Sequence, residues 1–430
     1  MKRFLSVVFG ACALLLAGAD IRPLLAPADG NFWERGPAEL ARALAAGHSP
    51  HHPPPLMWSK RDRTQLRYVG TKDSAPLVWE RTTRVCEILF DLDSPGGKLS
   101  AMTVSLYNRG DAKPMDDAAF RKLRENAETV VADLSGVKTP PERDRMKLGG
   151  ELILSRIWRS ETARWQLLWC ESGRGPEYLT LKIVKPDAPE DRLRGAVRSA
   201  QDRRALPDRI KTDEQGRKFL EVPMIDQGEK GYCAAATVAR VLRYYGADVD
   251  QNQIAQLLGT DPAEGTSWTV MLQKLERSKS KLNVRPRVIH ANRDFETPDS
   301  LRKFLSRYGK VAKSMKKPGV KLDDYIETRG RARILRLDLL DKALDREVVR
   351  ELYRRDRNVG KFRQEVRAAI DRGLPILWMI PGHIRLIVGV DTKRDLVLYS
   401  DSWGAAHERS EMPFIDAFGM TVRLLVLDPR

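Results

Sequence analysis

The sequence predicts two successive α+β units: the first is built on an antiparallel sheet, and the second opens on helices and closes on strands. Three observations lead to this. The chain has 430 residues, more than one core usually holds. Between residues 57 and 186, five strand-like runs (84–91, 99–107, 151–158, 163–170 and 178–184) surround one stretch of helical period at 116–134. That pattern reads as an antiparallel sheet carrying a helix. Between 219 and 430 the helical patterns come first, and strand patterns at 376–380, 383–390, 396–400 and 421–427 come last. Apolar residues make up 42% and charged residues 31%, a globular composition that excludes a disordered or membrane-embedded class.

Taken in order, Lys2 and Arg3 precede an apolar run at 4–16 and the small residues Ala17-Gly18-Ala19. This is the pattern of a signal peptide over 1–19, and it implies a secreted or periplasmic protein. The run is too short to cross a bilayer, and no later segment is long enough for a stable membrane span. Residues 20–56, rich in Ala and Pro, read as a flexible linker. His48, His51 and His52 lie there without Cys or carboxylate neighbours, so no metal site is expected. Residues 57–186 hold no chemical motif and read as an accessory domain. Residues 187–218 are charge-dense and read as a connection, which leaves open a propeptide-like, inhibitory role for what precedes it. Residues 219–430 form the second unit, with a basic, mostly helical insert at about 302–362.

The net charge of +17 points to an anionic partner such as a cell-envelope surface, or to basic side chains spread over solvated faces among acidic ones. Export argues against nucleic acid. Of the 4 Cys, Cys12 lies in the signal segment. Cys86 and Cys170 sit in strand-like runs, either joined as a disulfide or separate as small buried hydrophobes, and Cys233 is left over.

Cys233 is the candidate nucleophile. The loop Gln227-Gly228-Glu229-Lys230-Gly231-Tyr232 delivers it to the start of a helical stretch at 234–245. Free N–H groups and the dipole at a helix start favour an anion, and the thiolate is the reactive form of a thiol. Gln227, six positions earlier (233 − 227), supplies an amide able to donate to an oxyanion beside the Cys233 N–H. His383 opens an apolar strand and is the candidate base. His290 and His407 have polar neighbours but no evident orienting group. Asp401 ends the following strand, where antiparallel pairing would bring it to His383 to fix the tautomer. Asp391 reads as a turn residue. Tyr232 and Trp403 flank these groups and are the candidate substrate-binding residues; Trp403 would also shield the His383–Asp401 bond. No metal or organic cofactor is needed for such chemistry.

These stretches resemble the papain-like cysteine peptidases. In that family a Gln precedes the nucleophilic Cys by the same spacing, the Cys starts a helix, the His opens a strand of the form His-x-x-x-x-x-Gly, and an Asn-Ser-Trp-Gly follows. Here the last two are His383 to Gly389 and Asp401-Ser402-Trp403-Gly404. Asp in place of Asn, and the segment Gln253-Ile254-Ala255-Gln256-Leu257-Leu258-Gly259-Thr260 followed by Gly265-Thr266, are similar to the bacteriocin-processing (double-glycine) peptidase-like family. The resemblance covers about 219–430 and implies a papain-like fold, with Cys233, His383, Asp401 and Gln227 as the catalytic set. It departs at Ala234, where papain has an aromatic, and at the 302–362 insert. It implies a cysteine peptidase acting on peptides or proteins. The alternatives are transglutaminase- or amidase-type acyl transfer at the same triad, and a non-catalytic papain-like scaffold binding an anionic envelope polymer.

Overall fold

The computed structural model of the protein describes residues 19–25, 32–45, 56–69, 77–79, 83–148, 151–173, 175–188, 203–247, 249–329 and 332–430. Residues 1–18 of the segment expected as a signal peptide, the three histidines His48, His51 and His52, and residues 189–202 of the charged connection lie outside the described residues.

The N-terminal unit opens with helix α1 (Pro37–Ala45) and the strands β1 (Leu56–Trp58), β2 (Gln65–Val69), β3 (Glu87–Leu92) and β4 (Leu99–Asn108). Helix α2 (Asp117–Ser135) and the strands β5 (Glu142–Leu148), β6 (Glu151–Arg159), β7 (Arg164–Ser172) and β8 (Gly175–Val184) follow. The strands form one antiparallel sheet in the order β1-β2-β3-β4-β8-β7-β6-β5. Helix α2 buries Phe120, Leu123, Ala127, Val130 and Val131, a stripe at helical spacing. Asp116 caps its start by accepting from the Ala119 N–H at 2.7 Å, and Gly136 ends it in the left-handed conformation. Strand β7 is buried on both faces, which is why its sequence shows no polar alternation. Trp165, Leu167 and Trp169 join the core with Phe120 and Leu40, while Leu168 and Cys170 point the other way, into the C-terminal unit.

That unit contains β9 (Ile210–Thr212), β10 (Lys218–Leu220), α3 (Cys233–Tyr244), α4 (Gln251–Leu258), α5 (Trp268–Ser278), β11 (Val284–Ala291) and α6 (Pro298–Ser314). Next come α7 (Leu337–Ala343), α8 (Arg346–Tyr353), α9 (Arg357–Ile370), β12 (Ile376–Ile380), β13 (His383–Asp391), β14 (Leu396–Ser400), β15 (Ser410–Pro413), α10 (Phe414–Met420) and β16 (Arg423–Pro429). The antiparallel sheet runs β9-β10-β13-β12-β16-β11; β14 adds to β13, and β15 to β14. Helix α3 is buried from Ala234 to Leu242, and its alanines let it lie close to the sheet. Gly389 makes the crossing of β10 over β13 feasible, because a Cβ there would stand 2.4 Å from the Lys218 carbonyl oxygen.

Several expectations change. Residues 20–25 and 32–45 are not linker: Ile21, Leu25, Phe32, Leu40 and Leu44 fill the N-terminal core. The C-terminal unit begins before 219, since Leu206 is buried in its core and β9 pairs with β10. The insert is helical apart from a hairpin, Ile326–Arg329 with Ala332–Leu335. Its helix α7 abuts the turn before His383, where a Cβ on Gly382 would stand 2.6 Å from Asp338 Cβ. The strands β5 and β11 give no alternating signal because both are sheet edges, β5 largely charged and β11 interrupted by Pro286. Cys86 and Cys170 are free thiols, each buried. Among the described residues, no helix is long and apolar enough to cross a membrane.

Because Leu40 is fully buried, Leu40→Ala is expected to cost about 2–5 kcal/mol in urea denaturation. A change of only about 0.5 kcal/mol, as at a surface position, would return this segment to the role of a linker.

Candidate active site

The site grows from the two ends of buried elements. Tyr232 precedes α3 without a side-chain cap, so the first N–H groups of the helix are left for whatever the Cys233 side chain brings there. Cys233 is half-buried, whereas Ala234 to Ala236 behind it are buried. Seven positions further along the same helix (240 − 233), Arg240 donates to the Pro223 carbonyl at 2.9 Å, to the Asp401 carbonyl at 3.0 Å and to Ser400 Oγ at 2.5 Å.

His383 begins β13 and Asp401 follows β14, and the antiparallel pairing of these strands brings them together. His383 Nε2 lies 2.6 Å from Asp401 Oδ1, and the Cys233 side chain is near enough to the ring to act on its charge. Burial works to lower the imidazole pKa, but the hydrogen bonds and charges of Asp401 and Cys233 outweigh it and raise it to about 9. Burial likewise opposes ionisation of Asp401; the bonds and charges of His383 and Arg385, with the Ser402 N–H, hold its carboxyl below the usual range. Arg385 Nε donates to Asp401 Oδ2 at 2.8 Å and the Ser402 N–H to Oδ1 at 2.8 Å, so both carboxylate oxygens are fixed.

Gln227 joins the same network. Its backbone N–H donates to the Ser402 carbonyl at 2.8 Å, and its Oε1 accepts from Ser402 Oγ at 2.6 Å. That fixes the amide orientation, and Nε2 donates one hydrogen to the Lys230 carbonyl at 3.1 Å. An amide nitrogen carries two hydrogens, so one remains for another acceptor. Gly404 adopts φ +85°, and a Cβ there would stand 2.8 Å from Asp226 Oδ2, so the motif residue has to be glycine.

The structure therefore brings together Cys233, His383, Asp401 and Gln227. Of the two candidate substrate contacts, Trp403 is open, with 48% of its surface exposed and its ring 6.0 Å from that of His383. Tyr232 is not open: it is 3% exposed, with its hydroxyl turned to Asn108 of the N-terminal domain at 3.3 Å, and is removed as a substrate contact. His290 does have an orienting carboxylate, Glu365 Oε2 at 2.6 Å, but it packs on Phe362 and Phe418 as part of the core. Asp391 is a turn residue as expected, accepting from Lys393 and Arg394. Sequence reasoning missed Arg240 and Arg385, which carry no local signal beyond an Arg in an apolar run. Among the described residues, no cluster of His, Cys, Asp or Glu is placed to hold a metal.

Residues 219–283 match the Peptidase_C39 like family, a segment that points to cysteine-peptidase chemistry in general. The segment contains Gln227 and Cys233 and stops before His383 and Asp401, so geometry alone joins the latter pair to it. No curated protein and no solved structure matches the chain significantly.

Burial pushes the Cys86 thiol up to about 12, Cys170 is also buried, and Cys233 is half-exposed. Iodoacetamide on the folded protein is expected to modify Cys233 well ahead of Cys86 and Cys170, as read by peptide mass mapping. Comparable labelling of Cys86 or Cys170 would contradict the packing described.

Proposed function

We propose that the protein is an exported cysteine hydrolase with a papain-like C-terminal domain, cleaving peptide bonds in peptides or proteins. The observation that carries the reading is the 2.6 Å pairing of His383 Nε2 with the Asp401 carboxylate, near the Cys233 thiol at a helix start. The segment match supports peptide substrates, and the pattern of residues 1–19 supports a secreted or periplasmic location. The charge of +17 supports contact with an anionic envelope surface.

In this reading the Cys233 proton rests on the nitrogen of His383 that faces it, while Nε2 stays bonded to Asp401. The thiolate adds to the substrate carbonyl carbon, and the resulting oxyanion accepts from the Cys233 N–H and from the remaining hydrogen of Gln227 Nε2. Collapse breaks the C–N bond as His383 gives its proton to the leaving amine. Neutral His383 then takes a proton from water attacking the thioester, and the acid product leaves with the thiolate restored. Asp401 orients the ring and stabilises imidazolium throughout.

Cys233→Ala is expected to abolish peptidase activity with the fold retained; an equally active variant would falsify the reading. The pH dependence follows from the raised His383 pKa. The general acid is present below about 9, so activity falls as pH rises through about 9. Asp401→Asn keeps an acceptor for the ring N–H but removes the carboxylate charge that helps raise this pKa, so the alkaline limb moves down toward the ordinary 6.5. A limb that stays near 9 in that variant would separate Asp401 from the base. The sign for stability is the same: the contribution from protonated His383 is complete below about 6.5 and lost as pH rises through about 9.

A further inference from the structure

We propose that the N-terminal domain is part of the catalytic apparatus, with Arg67, Asn108 and Asp111 as positioning residues for the oxyanion loop at 226–232. This rests on the hydrolase reading above. The loop carries Gln227 and leads into Cys233, yet its own sequence fixes it poorly. It contains Gly228, at φ +72°, and Gly231, and glycine leaves the backbone free to take other paths. Ser402, Pro262 and Gln251 of its own unit hold part of it, and the remaining ties come from across the domain seam.

Three side chains of the N-terminal domain each take one residue of this loop. Arg67, on β2, is buried, pairs with Glu87 of β3, and reaches Asp226 Oδ2 at 2.7 Å, one residue before Gln227. Asp111, in the turn after β4, pairs with Lys230, whose ammonium also stands 4.5 Å from the centre of the Tyr232 ring. Asn108, at the end of β4, meets the Tyr232 hydroxyl at 3.3 Å, one residue before Cys233. The fit is close, since a Cβ on Gly110 would stand 2.9 Å from Lys230 and 3.0 Å from the Tyr232 ring. Nearby, Arg109 Nη2 donates to the Thr260 carbonyl at 3.1 Å.

The link to chemistry passes through Lys230. Its carbonyl accepts from Gln227 Nε2, so the place of Lys230 decides where the second amide hydrogen points. An oxyanion donor displaced by about 1 Å loses much of its effect, on the order of a hundredfold in rate. None of these hydrogen bonds and ion pairs touches Cys233, His383 or Trp403. Among the described residues, the hydrogen bonds and ion pairs of the seam hold the loop and do not reach the nucleophile, its base or the open tryptophan.

Two reactions of Cys233 separate the oxyanion loop from the thiolate–imidazolium pair. Iodoacetamide is attacked at a saturated carbon and forms no oxyanion, whereas acylation by p-nitrophenyl acetate passes through one. Both are measured on the full chain, with Cys233→Ala as blank and Gln227→Ala as the benchmark for a lost donor. In Arg67→Met the acylation rate is expected to fall at least tenfold, and in Asp111→Asn several-fold. The alkylation rate and its pH profile should stay within about twofold of the parent. Arg67→Lys, which keeps a charge facing Asp226, recovers part of the loss. If Arg67→Met does not fold, Asp111→Asn and Arg67→Lys carry the test. Unchanged acylation in folded variants overturns the proposal, as does a fall of acylation and alkylation by the same factor. An unmodified chain showing neither Cys233-dependent acylation nor fast alkylation overturns the hydrolase reading itself, and that is seen before any variant is made.

Discussion

Arg240 carries a charge into a core of alanine, valine and leucine and has no exposed surface. Burial draws its pKa down to about 10, with Glu408 and Asp401 pulling it back up, so it remains charged at neutral pH. Such a group is tolerated only where its donors are matched. The matching acceptors are the Pro223 carbonyl, the Asp401 carbonyl and Ser400 Oγ. These three belong to the approach to the Gln227 loop and to the end of β14, while Arg240 itself shares α3 with Cys233. One side chain therefore ties the helix that carries Cys233 to the strand end that carries Asp401. The relative placement of Cys233 and Asp401 becomes a property of the core rather than of the loops that carry them.

A second tie runs on the surface of that arrangement. Asp401 accepts from the Ser402 N–H, and Ser402 in turn fixes Gln227 through two hydrogen bonds. Asp401 and Gln227 are thus joined through a shared partner, Ser402. Arg385 completes the carboxylate's coordination, which leaves Asp401 no free oxygen with which to compete for other donors. Polar networks of this kind cost stability when half-satisfied and rigidify a site when complete. Here the carboxylate is held low and the imidazole high, the two shifts expected of a charged pair whose attraction outweighs its burial.

The fold is one in which two antiparallel sheets meet across a shared apolar layer. Leu168, Cys170 and Tyr178 of the first sheet belong to the same core as the helices of the second unit. That is why β7 reads as apolar from Leu167 to Cys170: Leu168 and Cys170 pack on the C-terminal unit, and Leu167 and Trp169 share the core with α2. The Arg67 ion pairs with Glu87 and Asp226 sit at this seam, buried and mutually satisfying. Burial alone would lower the Arg67 pKa, and its two carboxylate neighbours reverse the sign.

Much of this was legible in the residues. The central strands of both units and the helix after Cys233 follow from hydrophobic period, because their packing repeats along the chain. Cys233, His383 and Asp401 were legible because each sits at the start or end of an element, and Gln227 because of its spacing before Cys233. Edge strands such as β5 and β11 were not, since an edge carries charge or proline in place of alternation. Residues 32–45 were misread because α1 is short and alanine-rich, and composition cannot tell a pliable tether from a helix whose Leu40 and Leu44 are buried. The sequence by itself singled out Cys233, His383, Asp401 and Gln227 as candidates, and the helix and strands near which they lie. The tertiary structure alone decided that Tyr232 is covered, that Arg240 and Arg385 brace Asp401, and that the N-terminal domain grips the 226–232 loop. Those are contacts between residues far apart in the chain, and no local pattern encodes a partner that only the fold brings near.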